Sequence, residues 1–237
     1  MIPLGIKRVW NLAPQDSASA LELARALNIP PILGQLLLIR GVTSQEAGER
    51  YLAPALSQLS DPLLLSDMQK AVHRITEARD RDEHVLVFGD YDVDGISGTA
   101  ILVNGLRRFG LRNVNYNMPK RLTEGYGLDI EHIDDAAAQG ITLIITVDNG
   151  ISAHVPAAHA RKLGLDLIIT DHHTIENSLP EALAVINPQR EAESYPGRHL
   201  CGAGVAFKLS TALNGTPNDL DLAALGTVAD IVPLQAE

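Results

Sequence analysis

His84-Val-Leu-Val-Phe-Gly-Asp-Tyr-Asp-Val-Asp-Gly-Ile-Ser-Gly98 decides how this chain is read. Val85 to Gly89 is a short apolar run of the kind that forms a buried strand, and Gly89 and Gly95 mark the turn that follows. Between those glycines stand three carboxylates, Asp90, Asp92 and Asp94. Carboxylates crowded at the end of a buried strand repel one another and lose hydration, so the arrangement calls for a positive partner, and a divalent cation is the natural one. Two plainer readings compete. Asp-x-Asp-x-Asp-Gly also opens a calcium-binding EF-hand loop, but the twelfth position of that loop needs Glu and here holds Ile101, and the preceding element is a strand. The other is a solvated acidic turn capping the next helix.

Working outward from residue 84, short apolar runs alternate with helical segments, the pattern of βαβ units. Strands are predicted at Val85–Gly89, Val114–Pro119, Ile141–Val147, Leu165–Thr170 and Ala184–Ile186. Helices are predicted around Gly98–Phe109, Asp129–Ala138 and Ala153–Leu163. The expected fold is α/β, an open, mainly parallel sheet with helices on both faces. In such sheets ligands bind beyond the carboxyl ends of the strands. Those ends carry the unusual residues: Asp90, Asp92 and Asp94 after the first, Asp148 in Val147-Asp-Asn-Gly150, and Asp171-His172-His173 after Leu165–Thr170. Any one of these Asp residues alone could cap a helix. Together they would put up to five carboxylates and two imidazoles on one edge, a density that capping does not require. Oxygen donors with one or two imidazoles suit Mn²⁺ or Mg²⁺ better than zinc, and two ions sharing a carboxylate, with Asp148 as the candidate bridge, are a known device for phosphoester hydrolysis.

Upstream, residues 1–80 read as a helical region packing on the catalytic domain at 81–237. Ser17 or Ser19 could start a helix through Leu27, Pro30-Pro31 separates it from a segment Ile32 to Arg40, and Thr43-Ser-Gln-Glu46 fits a capping box. Asp67 is the expected cap of a helix carrying Met68, Ala71, Val72 and Ile75; His73 reads as a surface or packing residue.

Composition limits the function classes. The 237 residues are 46% apolar and 20% charged, as in a globular chain. No apolar run reaches the ~18 residues of a membrane helix, and the N-terminus lacks the apolar core of a signal peptide, so a cytoplasmic location and no membrane partner are expected. The one cysteine, Cys201, excludes an internal disulfide and a multi-cysteine zinc site, and it reads as an inert buried thiol. A formal charge of −10 argues against gripping nucleic acid by a general positive field, although two bound dications would bring −10 to −6 where phosphate arrives. Cys201-Gly-Ala-Gly204 lacks the third glycine of a dinucleotide fingerprint. Gly202 and Gly204 are candidates for substrate phosphate contact through their N–H groups, or for close packing against the metal site, which we favour.

Gly89-Asp-Tyr-Asp-Val-Asp-Gly95, Val147-Asp-Asn-Gly150, Asp171-His-His173 and Gly226-Thr-Val-Ala-Asp-Ile-Val-Pro-Leu234 resemble, in order, the four motifs of the DHH phosphoesterase superfamily. With Arg121-Leu-Thr-Glu-Gly-Tyr-Gly-Leu128 and Leu200-Cys-Gly-Ala-Gly-Val-Ala-Phe-Lys208, the wording is similar to its single-strand-specific exonuclease branch. The resemblance implies two Mn²⁺ or Mg²⁺ ions held by Asp92, Asp94, Asp148, His172 and Asp230, with Asp90 as a further ligand or close neighbour. It implies His173 as phosphate contact or proton donor beside Asp148 and His172, and Arg121 and Tyr126 as substrate contacts. Asp230 comes from the resemblance alone; by itself it reads as an exposed end of a helix-like segment Leu222–Asp230.

The implied activity is 5′→3′ exonuclease action on single-stranded DNA in recombination and repair, with a single-strand-binding protein or repair helicase as candidate protein partner. Relatives carry a DHHA1-type second domain, and this branch an oligonucleotide-binding (OB-type) domain. The chain stops at Glu237, about where the linker to them would begin, so a fragment with weak activity is expected. Two other functions compete. One is hydrolysis of small phosphoesters such as oligonucleotides, cyclic dinucleotides or pyrophosphate, whose enzymes usually place His where this chain has Phe88. The other is an inactive DNA- or protein-binding scaffold, although none of the motif acids is missing here.

Overall fold

Two compact units make up the chain, one ending at Leu59 and the other beginning at Ser60. The computed structural model describes residues 11–119, 125, 127–190 and 195–234. In the first unit α1 (Ser17–Leu27), α2 (Pro31–Ile39) and α3 (Gln45–Leu52) pack around Leu23, Leu37 and Val42. The helix starts differ in detail from expectation. Asp16 caps α1 by accepting from the Ser19 N–H at 3.1 Å, in place of Ser17 or Ser19. Ser44 caps α3, its hydroxyl accepting from the Ala47 N–H at 3.2 Å, one residue beyond the expected Thr43. Serine and aspartate do the same work at such positions, so neighbouring polar residues are hard to tell apart by sequence.

The second unit begins with α4 (Met68–Asp80), expected upstream of the boundary but here packed on the sheet unit. Met68, Ala71, Ile75 and Ala78 are fully buried on one face of the helix. From it, Arg74 reaches Glu83 at 2.7 Å and Asp166 at 2.6 Å. Asp67 occupies the cap position, but its carboxylate makes no cap hydrogen bond. It accepts instead from the Val185 N–H at 3.2 Å and from Arg190 at 2.9 Å, an offer that residues 118 and 123 positions away make and sequence cannot show.

The sheet is formed by β1 (Val85–Phe88), β2 (Val114–Asn117), β3 (Leu143–Val147), β4 (Asp166–Thr170) and β5 (Ala184–Ile186). Its order is β2-β1-β3-β4-β5 and every pairing is parallel. Leu86, Phe88, Ile144, Leu167 and Ile169 pack under α6 (Ile130–Ala138) and α7 (His154–Lys162). The alternate residues, among them Val85, Val87, Ile145 and Val147, are fully buried. They face the layer of α5 (Val93–Phe109) and α8 (Gly202–Asn214), with α9 (Leu220–Ala229) packed on both of those helices. Burial on both faces explains the unbroken apolar runs in the sequence, each such side chain contributing about 1.5–3 kcal/mol. Because all strands run the same way, β1, β3 and β4 end on one edge.

Candidate metal centre

The chain leaves β1 through Gly89 and turns at once into α5. That helix begins at Val93, earlier than the expected Gly98, because Asp92 caps it: the Asp92 carboxylate accepts from the Gly95 N–H at 2.9 Å. Asp94 therefore lies in the first turn of α5 and points across to α8. Its two oxygens accept from the N–H groups of Gly202 and Ala203, at 2.6 and 2.8 Å. The positive end of α8 thus holds a carboxylate of the protein itself.

That geometry corrects one expectation. The Gly202 N–H is committed to Asp94 and the Gly204 N–H points at the Cys201 sulfur at 3.4 Å, so neither is directed at a substrate phosphate. Gly202 is there for space: a Cβ on it would lie 2.4 Å from the Asp148 Cβ. Gly202 packs against Asp148, whereas a Cβ on Gly204 would meet Leu200. Cys201 is fully buried, and burial together with the nearby Asp94 charge pushes its thiol up to about 12, which leaves it protonated and inert.

Asp148 follows β3 in the left-handed region, φ 62°, with its N–H bonded to the Thr170 carbonyl at 3.0 Å. Burial, with the Asp94 and Asp92 charges close by, raises its carboxyl to about 7 although His172 opposes the shift. His172 follows β4 and places Nε2 3.0 Å from Asp148, 3.6 Å from Asp230 and 3.7 Å from Asp94. Asp230 ends α9, where burial and then Asp94 and Asp92 raise it against the pull of His172. Gly226 lets α9 approach, since a Cβ there would meet Ala203 Cβ and Asp94 Oδ1 at 2.5 Å.

Asp171 is 1% exposed and fully engaged. It accepts from the N–H groups of His172 at 2.7 Å, His173 at 3.1 Å and Ile151 at 2.9 Å, and faces His173 Nδ1 at 2.7 Å. Burial alone would raise its pKa, but the His173 bond and those N–H groups hold it below the usual carboxylate range. In return Asp171 raises His173 to about 9, against burial, so this half-exposed ring is an imidazolium at neutral pH.

Three sets of ligand atoms lie within 4.8 Å of one another: Asp90, Asp92 and Asp148; Asp94, His172 and Asp230; and Asp148, His172 and His173. All six expected ligands are thus brought together, and Asp148 joins the set around β1 to the set around His172. The donors fit a hard divalent cation such as Mn²⁺ or Mg²⁺. Asp90 adds an independent sign: its Oδ1 is buried with no hydrogen-bond partner, and burial raises its pKa. A carboxylate oxygen of that kind is costly unless a cation takes it. Arg121 and Tyr126 lie outside the described residues. Asp171, expected among the carboxylates of this edge, joins none of these sets and supports His173 instead, and sequence reasoning left two contributors without a role: Gly226 as the spacer for α9, and Asn149. The motif Val147-Asp-Asn-Gly150 contains the last of these, but nothing in its letters separates ligand from scaffold.

Comparison with known proteins agrees with this geometry. The DHH family, N-terminal domain, matches residues 84–227. The single-stranded-DNA-specific exonuclease RecJ of Bacillus subtilis is 38% identical over 236 residues, covering 99% of this chain and 30% of that protein. RecJ of Escherichia coli is 41% identical over 225 residues, 88% of this chain and 38% of that protein. A crystal structure of exonuclease RecJ bound to manganese matches with a TM-score of 0.68 at 37% identity, over 76% of this chain and 46% of the other. RecJ from Thermus thermophilus in complex with Mn²⁺ matches with a TM-score of 0.75 at 31% identity, over 93% of this chain and 31% of the other. The chain therefore spans about a third of the length of the curated relatives it matches.

Proposed function

The chain belongs to the DHH family, and from that premise we propose that it supplies the metal-dependent catalytic unit of a single-stranded-DNA exonuclease with 5′→3′ polarity. The observation that carries the reading is the convergence of Asp90, Asp92, Asp94, Asp148, His172 and Asp230 at one sheet edge. The similarity to RecJ exonucleases supports the substrate class. The polarity and a place in recombination and repair rest on the family resemblance alone.

Each residue has a definable task. Asp90 and Asp92 with Asp148 would hold one cation, and Asp94, His172 and Asp230, again with Asp148, the second. Bound there, a pair of Mn²⁺ or Mg²⁺ ions supplies activation of water and neutralisation of phosphoryl charge. His173 keeps a proton near the acid edge and can donate it to a phosphate or leaving-group oxygen. Asp171 fixes the ring by engaging Nδ1.

Labelled single-stranded DNA, duplex DNA and a cyclic dinucleotide, each with and without Mn²⁺, test the proposal. Metal-dependent loss of the single strand alone, abolished in Asp148→Ala, is the expected result. Turnover of the cyclic dinucleotide in preference to DNA would refute the substrate assignment, and equal behaviour of Asp148→Ala would refute the metal centre.

A further inference from the structure

Asn149 stands immediately after Asp148, fully buried, and its carboxamide is used in one direction only. The nitrogen Nδ2 donates to the Phe88 carbonyl at 3.3 Å and to the Val147 carbonyl at 2.9 Å, while Oδ1 is buried with no hydrogen-bond partner. The orientation is forced, since two carbonyls can only be met by the donor end of the amide. Leaving a buried acceptor unmet is unfavourable, and it persists where the two donated bonds decide the geometry.

Those bonds join two particular points. Phe88 is the last residue of β1, two positions before Asp90, and Val147 is the last residue of β3, one before Asp148. The ladder between the two strands runs from Val85 with Leu143 to Phe88 with Thr146, and beyond it β3 pairs on with β4 through Val147 and Thr170. Asn149 continues the connection past the sheet edge with a side chain. It fixes the gap between the turn bearing Asp90 and Asp92 and Asp148, which completes their ligand set and also faces His172. The other set has supports of its own: Asp94 is held by α8, and His172 by Asp171.

We infer that Asn149 is a positioning residue for one of the two cation sites, the one built from Asp90, Asp92 and Asp148, and not for the site around His172. The inference rests on the metal-centre reading above. A residue that only stabilised the fold would weaken both sites together or neither. A clamp between β1 and β3 makes the loss one-sided.

The test is Mn²⁺ titration by calorimetry and electron paramagnetic resonance on the wild-type chain and on Asn149→Ala, Asn149→Asp and Asn149→Ser, with melting of the metal-free proteins alongside. Asn149→Asp keeps the shape and removes both donors, and Asn149→Ser can return a single donor to the nearby Val147 carbonyl. The wild type is expected to take up two ions whose spectra show mutual coupling. Asn149→Ala and Asn149→Asp should keep one site and lose affinity at the other by about 10–100-fold, the range for residues that orient ligands. Their spectra should then show an isolated ion, and Asn149→Ser, whose one donor reaches only the Val147 carbonyl on its own strand, should behave as Asn149→Ala does. Variants that bind two coupled ions as the wild type does overturn the role of Asn149 while leaving the metal centre standing. Equal weakening of both sites, or loss of a cooperative melt in all three variants, also overturns it, because Asn149 would then be a general fold determinant. A wild type that binds no coupled pair overturns the metal-centre reading and the inference with it.

Discussion

Gly202→Ala puts a single methyl group into the most crowded point of the candidate site. The added Cβ would lie 2.4 Å from the Asp148 Cβ and 2.6 Å from its Cγ and Oδ1, where ordinary contact begins at 3.4 Å. Something must move by about 1 Å. Asp148 cannot yield by turning a flexible tip, since its Cβ is itself in the way and its backbone N–H is tied to Thr170. Gly202 cannot retreat either without breaking its bond to Asp94. Overpacking of this kind costs about 1–3 kcal/mol. In a protein of this size that lowers the melting temperature of the metal-free form by roughly 2–12 °C. Ligand atoms need to sit within ~0.2 Å of their proper distances, so a shift of this size should weaken Mn²⁺ binding by at least the ~10–100-fold seen for lesser disturbances. Gly204→Ala is the internal control. It lies in the same helical turn and gains the same helix propensity, but the nearest atoms its methyl meets are Leu200 Cδ2 at 3.2 Å and Cβ at 3.3 Å, which need to give by only a few tenths of an ångström and bear no candidate ligand. Differential scanning fluorimetry and calorimetric Mn²⁺ titration of both variants decide the matter. If Gly202→Ala melts and binds Mn²⁺ as Gly204→Ala does, the packing argument for this glycine is wrong.

Other perturbations test separate parts of the structure. Asp148→Asn should raise the melting temperature of the metal-free protein above pH 7 and abolish its stabilisation by Mn²⁺: the folded carboxyl is raised to about 7, so the cost of keeping it in the fold builds as pH rises above the ordinary carboxylate value and is complete above about 7. Asp171→Asn should move the His173 ring titration, followed by NMR without metal, from about 9 toward its ordinary value. The stabilisation from that raised His173 pKa is complete below the ordinary histidine value and is lost as pH rises through about 9, so urea midpoints of wild type and variant should converge at high pH. Arg74→Met removes the partner of Glu83 and Asp166 and should cost about 3 kcal/mol in urea unfolding at neutral pH. Glu83 is held below the usual range by Arg74 despite its burial; the contribution is present above the ordinary carboxylate pKa and fades as pH falls, so the Arg74→Met deficit should shrink in acid.

How much of this could be read from the sequence depends on what each residue is asked to do. Strand ends are readable because burial on both faces writes an apolar run that stops where the chain meets water, and so Asp90, Asp148 and His172 are placed correctly by their neighbours alone. The start of α5 was missed by five residues because Asp92 serves both as helix cap and as candidate ligand, and a sequence shows one role at a time. Asp230 is the hard case. Its own segment is apolar on all sides, and it becomes a site residue only because Gly226 lets α9 settle on α5 and α8. Asp67 and Asn149 fail for the same reason: their partners at Val185, Arg190 and Phe88 are far off in sequence. Short polar side chains that bond to distant backbone leave no periodic signal.

The same crowding that makes this edge unfavourable without cations explains how a chain of formal charge −10 can deal with a polyanion. Asp90, Asp148 and Asp230 all have raised pKa values, with burial as the largest cause, and for Asp148, raised to about 7, a bound cation would displace a proton held near neutral pH. Until that exchange occurs, the strand ends present negative charge to an approaching phosphate, and His173 offers the opposite sign beside them. On the proposed function, affinity for DNA is expected to be conditional on the cation, as it would not be on a general basic surface.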